Sequence, residues 1–263
     1  MTVSLAMHDQ WPRELLRVEA LDTGYGPVQV LRSIDLRVAA GEILGLLGAN
    51  GSGKSTLLRA ITGQLPLWAG KVMITGIDLA AAPVRAKAKF GYAVDAADLP
   101  PTLTGMQYLE LTASIKGCGP TDWPADGILE LLSLSPYANQ LIGECSFGTR
   151  VKFAISAALL GSPPLLILDE SLNGLDPVAS WRVKQLLRDL TRSGRHGVIL
   201  STHQLETVSA LCDTAVLLSE GRNTQRWDRH ELERTRSQEG GFEQAVMAAL
   251  GQEPAQFPRL VSG

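Results

Sequence analysis

The residues whose types and order promise chemistry begin with one run, GANGSGKS, from Gly48 to Ser55. It is a complete glycine, four residues, Gly-Lys-Ser pattern. Glycines let a backbone wrap around phosphate oxygens, so the amides of Gly48, Ala49, Asn50, Gly51, Ser52 and Gly53 are candidates to point inward at a nucleotide. Lys54 can reach the β- and γ-phosphates, Ser55 is placed to ligate Mg²⁺, and Thr56 completes the binding run. A plain glycine-rich turn is the competing reading. It is disfavoured because the run follows the apolar segment EILGLL and opens TLLRAITG, whose apolar residues recur at helical spacing.

Strand, loop and helix are therefore the elements that must hold this run. Upstream, from Leu16 to Val38, short alternating runs separated by Gly24, Gly26 and Pro27 predict strands joined by a turn, an antiparallel edge. KVMITG predicts another strand. Residues 102–145, starting with the possible N-cap Thr104 and containing MQYLELTASI and ILELLSL, are mainly helical in pattern and read as an insertion. VKFAISAALLG fits a helix stopped by Gly161. LLILDE and GVILST lack polar alternation, as buried parallel strands do. Pro177 suits the first residue of the helix VASWRVKQLLRDL, QLETVSALC a short helix, and TAVLL a further strand. The expected fold is α/β, a phosphate-loop NTPase core with a mainly parallel sheet, an antiparallel β edge and an inserted α-helical subdomain. Beyond about residue 222 the chain is richer in charge and carries one helical candidate, FEQAVMAALG.

Composition narrows the classes. The chain has 263 residues, 24 Lys and Arg against 27 Asp and Glu, and 45% hydrophobic residues, which excludes a disordered or collagen-like chain. A fold of this size buries roughly 70 to 75% of its unfolded surface, so it needs no disulfides or metal to hold its core. The near-neutral balance gives no electrostatic footprint for nucleic acid, and none is expected as a partner. Three cysteines and four histidines show no zinc-like spacing and read as reduced thiols and isolated imidazoles. The N-terminal run is broken by His8, Asp9 and Pro12, so no secretory segment is expected. The longest uncharged stretch, Phe153 to Leu168, is interrupted by Gly161, Pro163 and Pro164, and a membrane-spanning helix is not expected.

Taken in order, the motifs resemble the ATP-binding subunit of an ABC transporter over about residues 16–222, with the helical insertion at about 96–160 and a C-terminal extension at 223–263. LLILDE matches the family's Walker B segment. The resemblance implies that Asp169 coordinates Mg²⁺ and that Glu170 is the general base for the attacking water. Tyr25 falls where the family places an aromatic residue that stacks on adenine. Asn173 to Asp176 resemble the D-loop, and His203 follows GVILST where the family's switch histidine meets the γ-phosphate. CSFGT, Cys145 to Thr149, lies where the family has its LSGGQ signature, so Ser146, Phe147 and Gly148 are expected to contact ATP held by the opposing subunit. Two departures stand out. Phe147 replaces the first glycine and Thr149 the glutamine, and Asp95 stands at the Q-loop glutamine position. Asp95 offers Mg²⁺ a charged oxygen on a shorter side chain, which puts hydrolysis and coupling in doubt more than binding.

The resemblance implies an ATP- and Mg²⁺-dependent hydrolase at the cytoplasmic face of the cell membrane. It would dimerise with a second ATP-binding subunit, as a homodimer or heterodimer, and drive an integral membrane permease on a separate chain, with export favoured by the terminal helix. Alternatives remain. A regulatory or non-transport ABC-type protein with weak hydrolysis is suggested by Phe147 and Asp95. A phosphate-loop kinase would explain GKS but leave the signature-like segment, the D-loop and His203 without purpose.

Overall fold

The computed structural model describes residues 14–118, 125–236 and 241–251. Strand β1 (Glu14–Tyr25) turns at Gly26 into β2 (Val28–Ala39), followed by β3 (Ile43–Leu47), α1 (Lys54–Ile61), β4 (Ala69–Ile74), β5 (Ile77–Asp78), α2 (Pro83–Lys87) and β6 (Phe90–Ala93). The helical part comprises α3 (Gly105–Lys116), α4 (Ala125–Leu131), two 3₁₀ turns and α5 (Phe147–Leu159). The chain then returns through β7 (Leu165–Asp169), α6 (Pro177–Arg192), β8 (Gly197–Ser201), α7 (Leu205–Leu211), β9 (Thr214–Ser219), β10 (Arg222–Trp227), α8 (Arg229–Arg236) and α9 (Gly241–Ala249).

Two sheets result. One is antiparallel, in the order β2-β1-β4-β5; the other runs β10-β9-β3-β8-β7-β6, parallel from β9 to β6 with β10 antiparallel at its edge. The runs expected to form an antiparallel edge build a sheet of their own, and the strand expected at KVMITG joins it. The reason lies in alternation. Leu16, Val18 and Leu21 of β1 and Ile34, Leu36 and Val38 of β2 are buried on one face only, whereas the parallel strands are covered on both. Leu44, Leu46, Leu165, Ile167, Ile199 and Val216 pack toward the antiparallel sheet and α1. Their neighbours Ile43, Leu47, Leu166, Leu168, Val198 and Leu200 pack toward α5, α6 and α7. A slip of one residue would exchange these two cores, so the register is tightly specified.

The helical part is tied to the parallel sheet through small residues and caps. A Cβ on Gly91 of β6 would collide with the Ala158 carbonyl oxygen, and one on Gly105 with the buried Phe153 ring, so helix and strand approach at backbone distance. Thr104 caps α3 as its sequence position suggests: Gln107 N donates to Thr104 Oγ1 (3.2 Å) and Thr104 N to Gln107 Oε1 (2.9 Å), a reciprocal capping box. Elements with weak patterns went unread in the sequence. β6 has four residues and a glycine, β10 (RNTQRW) is a polar edge strand, and α8 buries only Leu232 and Thr235.

At the far end of α3, Lys116 Nζ donates to the carbonyls of Ala157 (3.0 Å), Ala158 (3.1 Å) and Leu160 (3.1 Å), which end α5. Burial pushes this amine down from its ordinary 10.5 to about 8. Below about 8 both folded and unfolded chains carry the proton. Between about 8 and 10.5 the unfolded chain keeps it and the fold releases it, so this group makes stability rise with pH across that window. Lys116→Met is expected to remove that rise. Urea titrations through the window check it, and stability curves that stay parallel for the two proteins would contradict the assignment.

Candidate nucleotide site

The parallel strands direct their carboxyl ends to one edge, where the loops leaving β3, β6, β7 and β8 meet. After β3 the Gly48–Gly53 loop is closed by Ser52 N donating to Ala49 O (3.1 Å). Gly53 takes the N-cap of α1 at φ +108° without a side-chain cap, so the amides of Lys54, Ser55 and Thr56 have no acceptor within the helix. Unpaired amides at a helix start are a place for anionic oxygens. Gly48 is forced by space: a Cβ there would lie 2.5 Å from the Leu218 carbonyl oxygen and also strike Ser52 Oγ.

Lys54 is 6% exposed. Its Nζ donates to the carbonyls of Gly48 (2.7 Å) and Ala49 (3.2 Å) and lies 3.7 Å from Glu170 Oε1. Glu170 follows β7 at φ +51°, a left-handed conformation that costs a non-glycine residue roughly 1–2 kcal/mol. Its amide donates to Ser201 O (3.1 Å) and its carbonyl accepts from Asn173 N (2.9 Å), which fix the turn. Its Oε2 accepts from Asn173 Nδ2 (2.5 Å) and lies 3.0 Å from His203 Nδ1. Gln204 Nε2 in turn donates to Asn173 Oδ1 (2.9 Å), closing a ring of Glu170, Asn173, Gln204 and His203. Strain at a residue so heavily tethered marks a place where the surroundings dictate the backbone.

These groups share a cavity of about 400 Å³ lined by Val30, Asn50, Gly51, Gly53, Lys54, Ser55, Thr56, Glu170, Asn173 and His203. A neighbouring cavity of about 450 Å³ also reaches Ser55 and is lined by Tyr25, Arg59, Tyr92, Asp95, Asp98 and Asp169. Asp169 Oδ1 is buried and has no hydrogen-bond partner, and Asp169 and Ser55 line this same cavity. An orphaned carboxylate oxygen and a hydroxyl lining one cavity are hard-oxygen donors of the kind that suit Mg²⁺. Asp95 lines the same cavity, exposed, with Oδ1 accepting from Ala97 N (2.8 Å). Tyr92 is pushed up to about 12 by burial, assisted by the Asp169 charge. Tyr25 is 44% exposed at the end of β1, and its hydroxyl accepts from Arg59 Nη1 (3.3 Å). Burial raises its phenol, but hydrogen bonds with Thr56 and Arg59 outweigh that and leave it lowered.

Ser146, Phe147 and Gly148 line neither cavity. Ser146 caps α5, its Oγ accepting from Thr149 N (3.2 Å), and Phe147 is 48% exposed in the first turn. Tyr92, Arg59, Asp98 and Gln204 were not singled out in the sequence. Gln204 adjoins His203, but its bond to Asn173 joins two loops whose meeting no local spacing reveals.

The same chain can now be set against known proteins. The family described as ABC transporter matches residues 31–173. An uncharacterized ABC transporter ATP-binding protein of Bacillus subtilis (strain 168) is 35% identical over 79% of this chain and 67% of its own length. The Nod factor export ATP-binding protein I of Rhizobium etli is 33% identical over 79% of this chain and 66% of its own. Among solved structures, an ATP-binding subunit of an ABC transporter superposes with TM-score 0.81 at 30% identity, covering 90% of this chain and 99% of that one. A dimeric ATP-binding cassette in a post-hydrolysis state with ADP and phosphate has TM-score 0.74 at 23% identity, over 82% and 99%, and shares the fold. The fold and site define a P-loop NTPase. The chain belongs to the ABC transporter family, as an ATP-binding cassette. Among the described residues no helix is long and apolar enough to cross a membrane.

Gly48→Ala tests the close approach of the phosphate loop to β9 independently of any ligand. The added methyl is expected to cost at least about 2 kcal/mol through overpacking. The urea midpoint without nucleotide measures it, and an unchanged midpoint would show that the loop has room to spare.

Proposed function

We propose that this chain is the ATP-hydrolysing subunit of an ABC transporter, working at the cytoplasmic face of a membrane by closing head-to-tail on a second ATP-binding subunit. The observation that carries the reading is the Glu170 carboxylate, held in a strained turn between Lys54, Asn173 and His203 at the mouth of the phosphate loop. In support of a shared pocket, Ser146, Phe147 and Gly148 line neither of these two cavities, and Ser146 and Phe147 are exposed at the start of α5, where a nucleotide held by a facing copy could meet them. The relative named for Nod factor export favours export.

In this mechanism the triphosphate enters the loop formed by Gly48 to Gly53 and takes the unpaired amides of Lys54, Ser55 and Thr56, while Tyr25 offers its ring to the adenine. Lys54 exchanges the Gly48 and Ala49 carbonyls for phosphate oxygens. His203 turns from Glu170 toward the γ-phosphate, where either protonation state donates a hydrogen bond. Glu170, relieved of both, accepts a proton from water as the water oxygen bonds to the γ-phosphorus and the bond to the β-bridging oxygen breaks. Mg²⁺ held by Ser55 and Asp169, with Asp95 as a further oxygen, would neutralise charge on the β- and γ-oxygens. Closure and reopening of the pair would move a permease on a separate chain.

A regulatory subunit with weak hydrolysis is the second reading, favoured by Asp95, whose Oδ1 is engaged by Ala97 N within its own loop. Turnover measurements separate the two. Glu170→Gln is expected to keep ATP affinity, lose hydrolysis and accumulate an ATP-dependent dimer in size-exclusion chromatography with light scattering; hydrolysis at the parent rate would remove Glu170 from the role of base. Lys54→Ala should lose nucleotide affinity by calorimetry, and unchanged binding would count against the phosphate loop.

A further inference from the structure

The replacement of a signature glycine by Phe147 gains a meaning from what the ring touches. Phe147 opens α5, and its ring lies over Gly174 in the loop after β7. A Cβ on Gly174 (φ +78°) would be 2.6 Å from both Cδ1 and Cε1 of Phe147. The next residue repeats the approach, because a Cβ on Gly148 would be 2.8 Å from the Gly174 carbonyl oxygen. Arg150, one turn on, sets its guanidinium carbon 5.9 Å from the Phe147 ring centroid. A second tie joins the same two elements, Lys152 Nζ to Asp176 Oδ2 at 3.4 Å, and Asp176 also caps α6 through Ala179 N (2.9 Å). Gly174 directly follows Asn173, whose side-chain amide donates to Glu170.

We propose that Phe147 is a positioning residue that clamps the loop Asn173–Asp176 to the start of α5 and, through Asn173, sets the Glu170 carboxylate. This rests on the reading above, in which the start of α5 serves the facing copy's nucleotide and Glu170 the chain's own. The clamp then joins the two nucleotide positions of a dimer within one chain. A glycine at residue 147 would leave Gly174 bare, and its open φ would let the loop move. The aromatic ring supplies the cover, so the departure strengthens a contact inside the chain.

The test is amide hydrogen exchange of the nucleotide-free protein at Asn173 and Gly174, read beside steady-state ATP hydrolysis. Phe147→Ala is expected to speed exchange at these amides several-fold and to lower kcat several-fold. Phe147→Leu, which keeps apolar cover, should restore most of both. Exchange that is the same in Phe147→Ala and the parent overturns the clamp, and faster exchange with unaltered kcat overturns its link to Glu170. Exchange needs neither hydrolysis nor dimerisation, so a parent protein that fails to hydrolyse ATP defeats the proposed function while the clamp is still decided.

Discussion

Lys54 is almost wholly withdrawn from water, and a buried ammonium persists only where lone pairs or opposite charge surround it. Here the two carbonyls of its own loop and the Glu170 carboxylate supply that surrounding. The dependence is mutual. Glu170 stands in a left-handed turn and has Lys54, His203 and Asn173 around its two oxygens. Its partners come from the start of α1, from its own turn after β7 and from the loop after β8, so the carboxylate acts as the knot at which the strand ends are tied. Under the proposed mechanism a triphosphate would compete for Lys54 and His203 alike, and its arrival would loosen the knot on two sides while Asn173 and Gln204 keep hold of the third.

The parallel sheet makes that knot possible because its strands are buried on both faces and cannot shift register without exchanging two cores. Rigid strands deliver Asp169, Glu170 and the loop before His203 to one edge, and the backbone-close packing of Gly91 under α5 carries that rigidity into the helical part. From the antiparallel sheet come Tyr25, bonded to Arg59 of α1, and Val30, which lines the phosphate-loop cavity.

Much of this was legible in the residues. Gly48 to Ser55 announced the loop by its spacing, Pro177 and Thr104 marked helix starts, and uniformly apolar runs marked strands covered on both faces. What escaped reading depended on tertiary contact. The first strands alternate in the same way whether they edge a large sheet or build a separate one, so their partners could not be inferred. Asn173 was visible as part of a loop, but its bonds to Glu170 and Gln204 arise only when β7 and β8 lie side by side. Phe147 read as a departure that weakened a motif; that its ring covers Gly174 is a fact of folding, invisible in a linear string.

The last helix has a consequence of its own. Phe242 meets Trp227 edge-on, with ring centroids 5.2 Å apart at 78°, and Phe242 and Val246 are both buried in the core that also holds Val208 and Leu211 of α7. Since α7 begins two residues beyond His203, the seat of the imidazole shares its apolar backing with a stretch of chain that a motif map would dismiss as tail. Trimming that stretch would bare greasy surface on the helix that follows His203.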